Sequence, residues 1–400
     1  MRLVVPILIL AAILRIGWGF SRPADDAALA ALPDQLEYLK LGRSLLAGDG
    51  LVMTDPRFGT AVYAFRAPGY PAFVALFGGN TTFVRLAQAL LDTSTVFASF
   101  LLARRYVPQY AWVAAALTAV CPFLIYFSAL ILTETLFTAL LVWGVVALTT
   151  PQAAPKTRYF LLGVVVLCLS VLVRPGALAL PVLLAGLAAM TAPRLPKLPV
   201  LATALAVAAL TLLPWAYRNH TVLNEWVFTT TNVGITAYDG FNPAADGSSN
   251  QSAFLPHLPH LSALTETQRN HHLKQLAADY RAENPARLYL LTLQKLLRTW
   301  SPVPLSQENQ SWEQLVASAV YCSMAWSLAV VGLLKFRGPG HRGMKSLTLL
   351  TATYLTLSAV LTVGSLRYRI PVEPLLAVLA SMGAAALAQR FKLFTSPAQT

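Results

Sequence analysis

Long apolar runs joined by short polar stretches dominate this chain, a pattern that a bundle of membrane-embedded helices satisfies. Runs of roughly 17–25 residues are long enough to cross a hydrocarbon core about 30 Å thick. Ten can be read, at 2–20, 83–103, 111–127, 131–149, 157–173, 176–191, 199–215, 313–334, 346–364 and 371–389. Backbone polar groups in lipid must bond to one another. The expected fold is therefore an all-α polytopic membrane protein of about ten transmembrane helices. Two polar regions, 21–69 and 216–312, interrupt the pattern and are read as extracytoplasmic loops with short amphipathic helices. Neither is long enough for an independent enzyme domain, so residues 1–400 form one domain.

Composition agrees with that class. The 400 residues are 56% hydrophobic and only 12% charged, and mean hydropathy is +0.58. The net charge of +13 has a topological explanation. With the N-terminus inside, the cytoplasmic pieces are 104–110, 150–156, 192–198, 335–345 and 390–400. They hold Arg104, Arg105, Lys156, Arg194, Lys197, Lys335, Arg337, Arg342, Lys345, Arg390 and Lys392, and no acid. This is the positive-inside bias, so the basic balance calls for no nucleic-acid partner. Arg15 interrupts the first run and no small-residue cleavage site follows closely, so an uncleaved anchor is expected. Cys121, Cys168 and Cys322 fall in or beside apolar runs and read as packing residues.

Chemistry must then occur where the polar regions meet the membrane. Pro33 suits a helix start, and Asp34, Glu37, Tyr38, Leu41 and Leu45 recur at three and four residues on one face. A carboxylate at a helix N-terminus can take a proton from a hydroxyl; the plainer role for Asp34 is a cap. Arg66 precedes Pro68 and Pro71, and Arg367 and Arg369 flank Tyr368 before Pro371. These arginines run against the positive-inside bias, and a bound phosphate would account for them. Asp92 and Glu134 lie inside apolar runs, where acids face a bundle interior or a cavity. Glu134 is near a span end and within reach of the site, whereas Asp92 is read as structural. Arg174 and Arg218 are candidate partners for these acids. His257 and His260 have a ligand-like spacing, but Pro256 and Pro259 argue against a helix that would align them. No metal site is assigned, and no P-loop or dinucleotide fingerprint appears.

In order along the chain stand Asp34-Gln-Leu-Glu37-Tyr38 with Gly48-Asp-Gly50, Arg66-Ala-Pro-Gly-Tyr70-Pro71, Leu132-Thr-Glu134, Arg174-Pro175, Pro214-Trp-Ala-Tyr-Arg218-Asn219, Thr231-Asn-Val-Gly234 and Arg367-Tyr368-Arg369-Ile-Pro371. This series resembles the GT-C superfamily of membrane glycosyltransferases, in particular bacterial relatives of protein O-mannosyltransferases and lipid A aminoarabinose transferases. The resemblance implies an inverting transferase that moves a sugar from a polyprenyl-phosphate donor to a hydroxyl acceptor on the extracytoplasmic face, in a bacterial inner membrane. It implies Asp34 as catalytic base and Arg66, Arg367 and Arg369 as donor-phosphate ligands. Glu37, Tyr38, Tyr70, Glu134, Arg174, Arg218 and Tyr368 would support the site, with 216–312 as acceptor region. Many relatives carry Asp-Glu where this chain has Asp34-Gln35. No cofactor beyond the lipid-linked sugar is expected, and no metal is required. The partners are that donor, membrane lipids and a protein, glycan or lipid hydroxyl. The alternative is a transporter or flippase for a lipid-linked or anionic substrate; it leaves Asp34 and the outward arginines without a role.

Overall fold

A computed structural model describes residues 3–149, 157–191, 197–305 and 311–391. Lys156, Arg194 and Lys392 of the expected basic loops lie outside the described residues.

The chain is a membrane protein built of helices, with one small antiparallel hairpin in which Met53–Asp55 pairs with Thr60–Val62. The count of about ten spans is overturned. Among the described residues, four helices are long and apolar enough to cross a membrane: Thr81–Arg104, Leu198–Leu223, Trp312–Lys335 and the stretch Leu366–Arg390. A fifth forms if Pro108–Val120 and Pro122–Ser128, bent by 52°, count as one span. Val4–Phe20, Thr133–Leu148, Arg158–Val173 and Pro175–Thr191 are shorter apolar helices of 10–17 residues. At 1.5 Å per residue, a 16-residue helix such as Thr133–Leu148 reaches only about 24 Å. The ninth expected run, 346–364, became His341–Val360, whose first turns carry His341, Arg342 and Lys345. Counting apolar letters overshot because prolines and loop residues sit inside the runs, and the alternation of sides built on ten spans falls with it.

The break at Cys121 shows how sequence shapes the bundle. Pro122 has no N–H, so the carbonyl of Thr118 four residues earlier loses its helical donor. Arg15 replaces it, donating from Nη2 to Thr118 O (3.0 Å) and from Nη1 to Ala119 O (2.9 Å). Its Nε meets Asp92 Oδ2 at 2.6 Å, and both side chains are all but inaccessible to solvent. The charge that interrupts the first apolar run thus locks three helices together. Gln88 does the same at the end of helix Pro122–Ser128, with Nε2 donating to Ser128 O and Leu130 O. Trp312–Lys335 lies directly against Glu373–Arg390, where Gly332 and Gly383 bring the two backbones together. A Cβ on either would collide with the facing helix's carbonyl, Leu379 O or Leu328 O. Cys121, Cys168 and Cys322 are buried and unbonded.

A second apolar core joins the two polar regions into one layer. It contains Leu41, Phe58, Val62 and Phe65 from the first, and Tyr238, Phe254, Leu273 and Leu291 from the second. Glu266, at the start of helix Glu266–Glu283, fastens them: its carboxylate accepts from Tyr63 N (2.6 Å), Ala64 N (2.9 Å) and the Thr231 hydroxyl. Helix Pro285–Thr299 lies at the edge of this layer, one of the amphipathic helices expected within 216–312.

Candidate active site

Between this layer and the helix bundle opens a cavity of about 1200 Å³. One part of its wall is apolar, with Ile125, Tyr126, Phe127, Leu130, Leu132 and Val173. The other is polar and charged, with Asp34, Arg57, Arg66, Arg174, Arg298 and Arg367. Such a vessel suits a molecule with a hydrocarbon part and an anionic head.

Asp34 sits in the first turn of helix Pro33–Ala47, with Pro33 leading as its sequence position suggests. Both of its oxygens are occupied. Oδ1 accepts from Arg66 Nη2 at 2.5 Å and Oδ2 from Arg367 Nη1 at 2.7 Å. Burial alone would raise this carboxyl, but the guanidiniums of Arg66 and Arg367 outweigh it and hold the group well below the usual carboxylate range. In this state Asp34 is a weak base. Each arginine has a second carboxylate: Arg66 meets Glu37 Oε2 at 2.5 Å, and Arg367 Nε meets Glu134 Oε1 at 2.5 Å. Arg174 completes the chain of charges, 3.5 Å from Glu134 and donating to Arg367 O at 3.1 Å. Its guanidinium also stacks 4.8 Å from the Tyr368 ring.

The sequence candidates therefore divide. Asp34, Tyr38, Arg66, Arg174, Arg367 and Tyr368 line the cavity, with Glu37 and Glu134 directly behind them. Tyr38 lies under the Arg66 guanidinium, 5.0 Å from it to ring centroid, and burial raises its hydroxyl pKa. Three candidates are engaged elsewhere. Arg369 is fully buried against Glu373 Oε1 (2.5 Å) and Ser301 O (2.8 Å), beside the rings of Phe123 and Trp326. Tyr70 is buried and donates to Gln88 Oε1 at 2.5 Å. Arg218 ties the hairpin region to helix Lys197–Leu223 through Tyr63 O (2.6 Å) and Leu51 O (3.0 Å). Gln35, where many GT-C relatives carry the second acid, turns into the bundle and accepts from Ile131 N at 2.9 Å.

Sequence reasoning missed Arg57, which meets Asp55 at 2.8 Å and Glu37 at 3.8 Å, and the cavity-lining Arg298. Arg57 carried no spacing signal, and Arg298 stood unmarked within the second polar region. His257 bonds Tyr238 OH through Nε2 at 3.0 Å, and His260 meets the His272 ring edge-on. Among the described residues, no three His, Cys, Asp or Glu side chains converge as metal ligands.

Residues 70–217 match the family model described as dolichyl-phosphate-mannose-protein mannosyltransferase. The archaeal oligosaccharyltransferase AglB from Archaeoglobus fulgidus, solved with an inhibitory peptide and a dolichol-phosphate, superposes over 99% of this chain and 52% of its own. Identity is 14% and the TM-score 0.54. The apo form of the oligosaccharyltransferase from the same organism covers 98% of this chain and 51% of its own, at 13% identity and TM-score 0.56. The chain shares the fold of these oligosaccharyltransferases. It spans about half the length of these solved relatives. No curated protein sequence matches it. The matched stretch carries Glu134 and Arg174, whereas Asp34, Arg66 and Arg367 lie outside it. Folding, not sequence proximity, assembles the five.

Proposed function

We propose that this chain is an inverting glycosyltransferase of the extracytoplasmic membrane face, moving a sugar from a polyprenyl-phosphate donor to a hydroxyl acceptor. A bacterial inner membrane is the proposed setting. The observation that carries the reading is the Asp34 carboxylate gripped by Arg66 and Arg367 at the charged end of a half-apolar cavity. The dolichol-phosphate held by the A. fulgidus relative is a ligand of the same chemical class.

In the proposed reaction the donor phosphate takes over the guanidinium forks now spent on Asp34. Losing both partners restores the basicity of Asp34, so donor binding switches on the base. The acceptor oxygen then attacks the anomeric carbon from the face opposite the phosphate, and its proton passes to Asp34. The bond from that carbon to the phosphate oxygen breaks, and its electron pair leaves on the phosphate, where Arg66 and Arg367 neutralise it. The apolar wall from Ile125 to Leu132 is assigned to the first isoprene units of the donor. The two guanidiniums supply the charge stabilisation, so no metal is assigned and transfer should survive a chelator.

The test uses the full chain in nanodiscs with radiolabelled polyprenyl-phosphate sugars and envelope extracts as acceptors. Label should move into an extract component, and R66K and R367K should weaken donor binding because lysine lacks the planar fork. Movement of donor across the bilayer without sugar transfer would sink the enzyme reading in favour of a flippase.

A further inference from the structure

The cavity holds one arginine that this chemistry leaves idle. Arg298 lies near the end of helix Pro285–Thr299 and lines the cavity together with Ser248, Ser249 and Gly364. Each of the other cavity-lining arginines has a carboxylate within 4.0 Å: Asp55 for Arg57, Asp34 for Arg66, Glu134 for Arg174, Asp34 and Glu134 for Arg367. Among the described residues Arg298 has none. Among the described residues its one hydrogen bond runs from Nε to Gly364 O at 3.4 Å, the long limit for such a bond, and neither Nη group has a partner. Asp246, which feels the Arg298 charge from beyond salt-bridge distance, spends Oδ1 on the Ser248 backbone N–H (2.8 Å) and hydroxyl (2.6 Å) and makes no ion pair among the described residues.

A half-buried guanidinium bears a desolvation cost that a carboxylate usually offsets. Here no carboxylate of the described residues comes within 4.0 Å, and Asp246 attracts it only from farther off, while the planar fork stays free, which is the state of an anion receptor awaiting its ligand. The helix that carries it adds direction. Leu290, Leu293 and Leu297 leave their side chains exposed along one side, so the outer face of the helix is apolar. Lys295, one turn before, is buried with its Nζ over the Phe241 ring and donating to Val360 O at 3.2 Å. It does not line the cavity.

We propose that Arg298 receives a second phosphate-type anion, distinct from the one assigned to Arg66 and Arg367, on a lipid-borne substrate. The identity of the first anion rests on the function proposed above; the idle guanidinium does not. Two sources share this chemistry: the second phosphate of a diphosphate-linked donor, or a phosphate on a separate lipid acceptor.

The experiment uses the full chain in phosphatidylcholine nanodiscs, as wild type, R298K and R298Q. One arm measures the affinity for farnesyl phosphate and farnesyl diphosphate. The other titrates phosphatidic acid into nanodiscs already saturated with farnesyl phosphate. R298Q should bind farnesyl phosphate as the wild type does and lose about ten- to a hundred-fold in affinity for one other probe. Loss for the diphosphate alone assigns the second anion to the donor; loss for phosphatidic acid alone assigns it to the acceptor. R298K should fall between. Unchanged affinity of R298Q for both probes overturns the proposal, as does equal weakening for all three with a lowered melting temperature. A wild type that ignores farnesyl phosphate removes the donor reading, and phosphatidic acid then still decides Arg298 in discs without it.

Discussion

Replacing Asp34 with asparagine separates a catalytic carboxylate from a structural one, because the geometry predicts opposite effects on two quantities. The carboxylate bonds Arg66 and Arg367 through different oxygens, so a carboxamide keeps one acceptor and turns an N–H₂ toward the other arginine. Neither arginine is stranded: Arg66 keeps Glu37, and Arg367 keeps Glu134. A charge-assisted hydrogen bond is worth about 1.5–3 kcal/mol. The side chain of Asp34 is 31% exposed and solvent screens part of that, so the expected loss of stability is only about 1–2 kcal/mol. Turnover should fall by roughly 10²–10⁴, the range for a lost general base. Donor affinity should hold or tighten, by up to about tenfold, because the phosphate no longer competes with a carboxylate for the two forks. The assay pairs single-turnover sugar transfer with equilibrium binding of farnesyl phosphate, both normalised to folded protein in nanodiscs. Near-normal turnover would refute the assignment of the base. Donor binding that weakens in step with turnover would refute the competition between Asp34 and phosphate. The depressed pKa gives the sign of the pH effect: Asp34 stabilises the fold above the usual carboxylate pKa of about 4 and loses this as pH falls through its lower folded value. The stability gap between wild type and D34N should therefore be flat from about pH 8 to pH 5 and close only in stronger acid.

Three further outcomes test the scaffold. Arg15→Met should destabilise the bundle by about 3–5 kcal/mol because it strands buried Asp92, and adding Asp92→Asn should recover part of that; equal melting of single and double variants would refute the coupling. Glu266→Gln should loosen the layer by weakening its bonds to Tyr63, Ala64 and Thr231, read as faster amide exchange confined to 60–66 and 229–234 with the long helices unchanged. Burial, with Arg281 adding to it, pushes the Lys295 ammonium pKa down to about 7. The unfolded chain then holds the extra proton between about pH 7 and 10, so wild-type stability should rise across that window. Lys295→Met should remove the slope, and a slope unchanged in the variant would refute the burial argument.

The amino-acid sequence by itself determined the class of protein and the order of its charged groups. Apolar runs at helical length demand lipid-embedded helices, and an acid such as Glu134 inside one must find a partner. Arg66, Glu134, Arg174 and Arg367 were legible as candidates because each is a charge at or inside an apolar run, and Asp34 through its helix-start position and its spacing to Glu37 and Tyr38. How many runs cross the membrane was not legible, since hydropathy does not register the bend at Cys121 or the length lost to prolines. Partner choice was equally hidden. Arg15 and Asp92 lie 77 residues apart, and no period connects them. Arg367 and Arg369 look equivalent in sequence, yet one faces the cavity and the other the core. They belong to successive 3₁₀ turns, Leu366–Tyr368 and Ile370–Val372 with Arg369 at the junction. With about three residues per turn, two positions apart point to different sides. Only the packed neighbours, Asp34 and Glu134 on one side and Glu373 on the other, decide which arginine is free for chemistry.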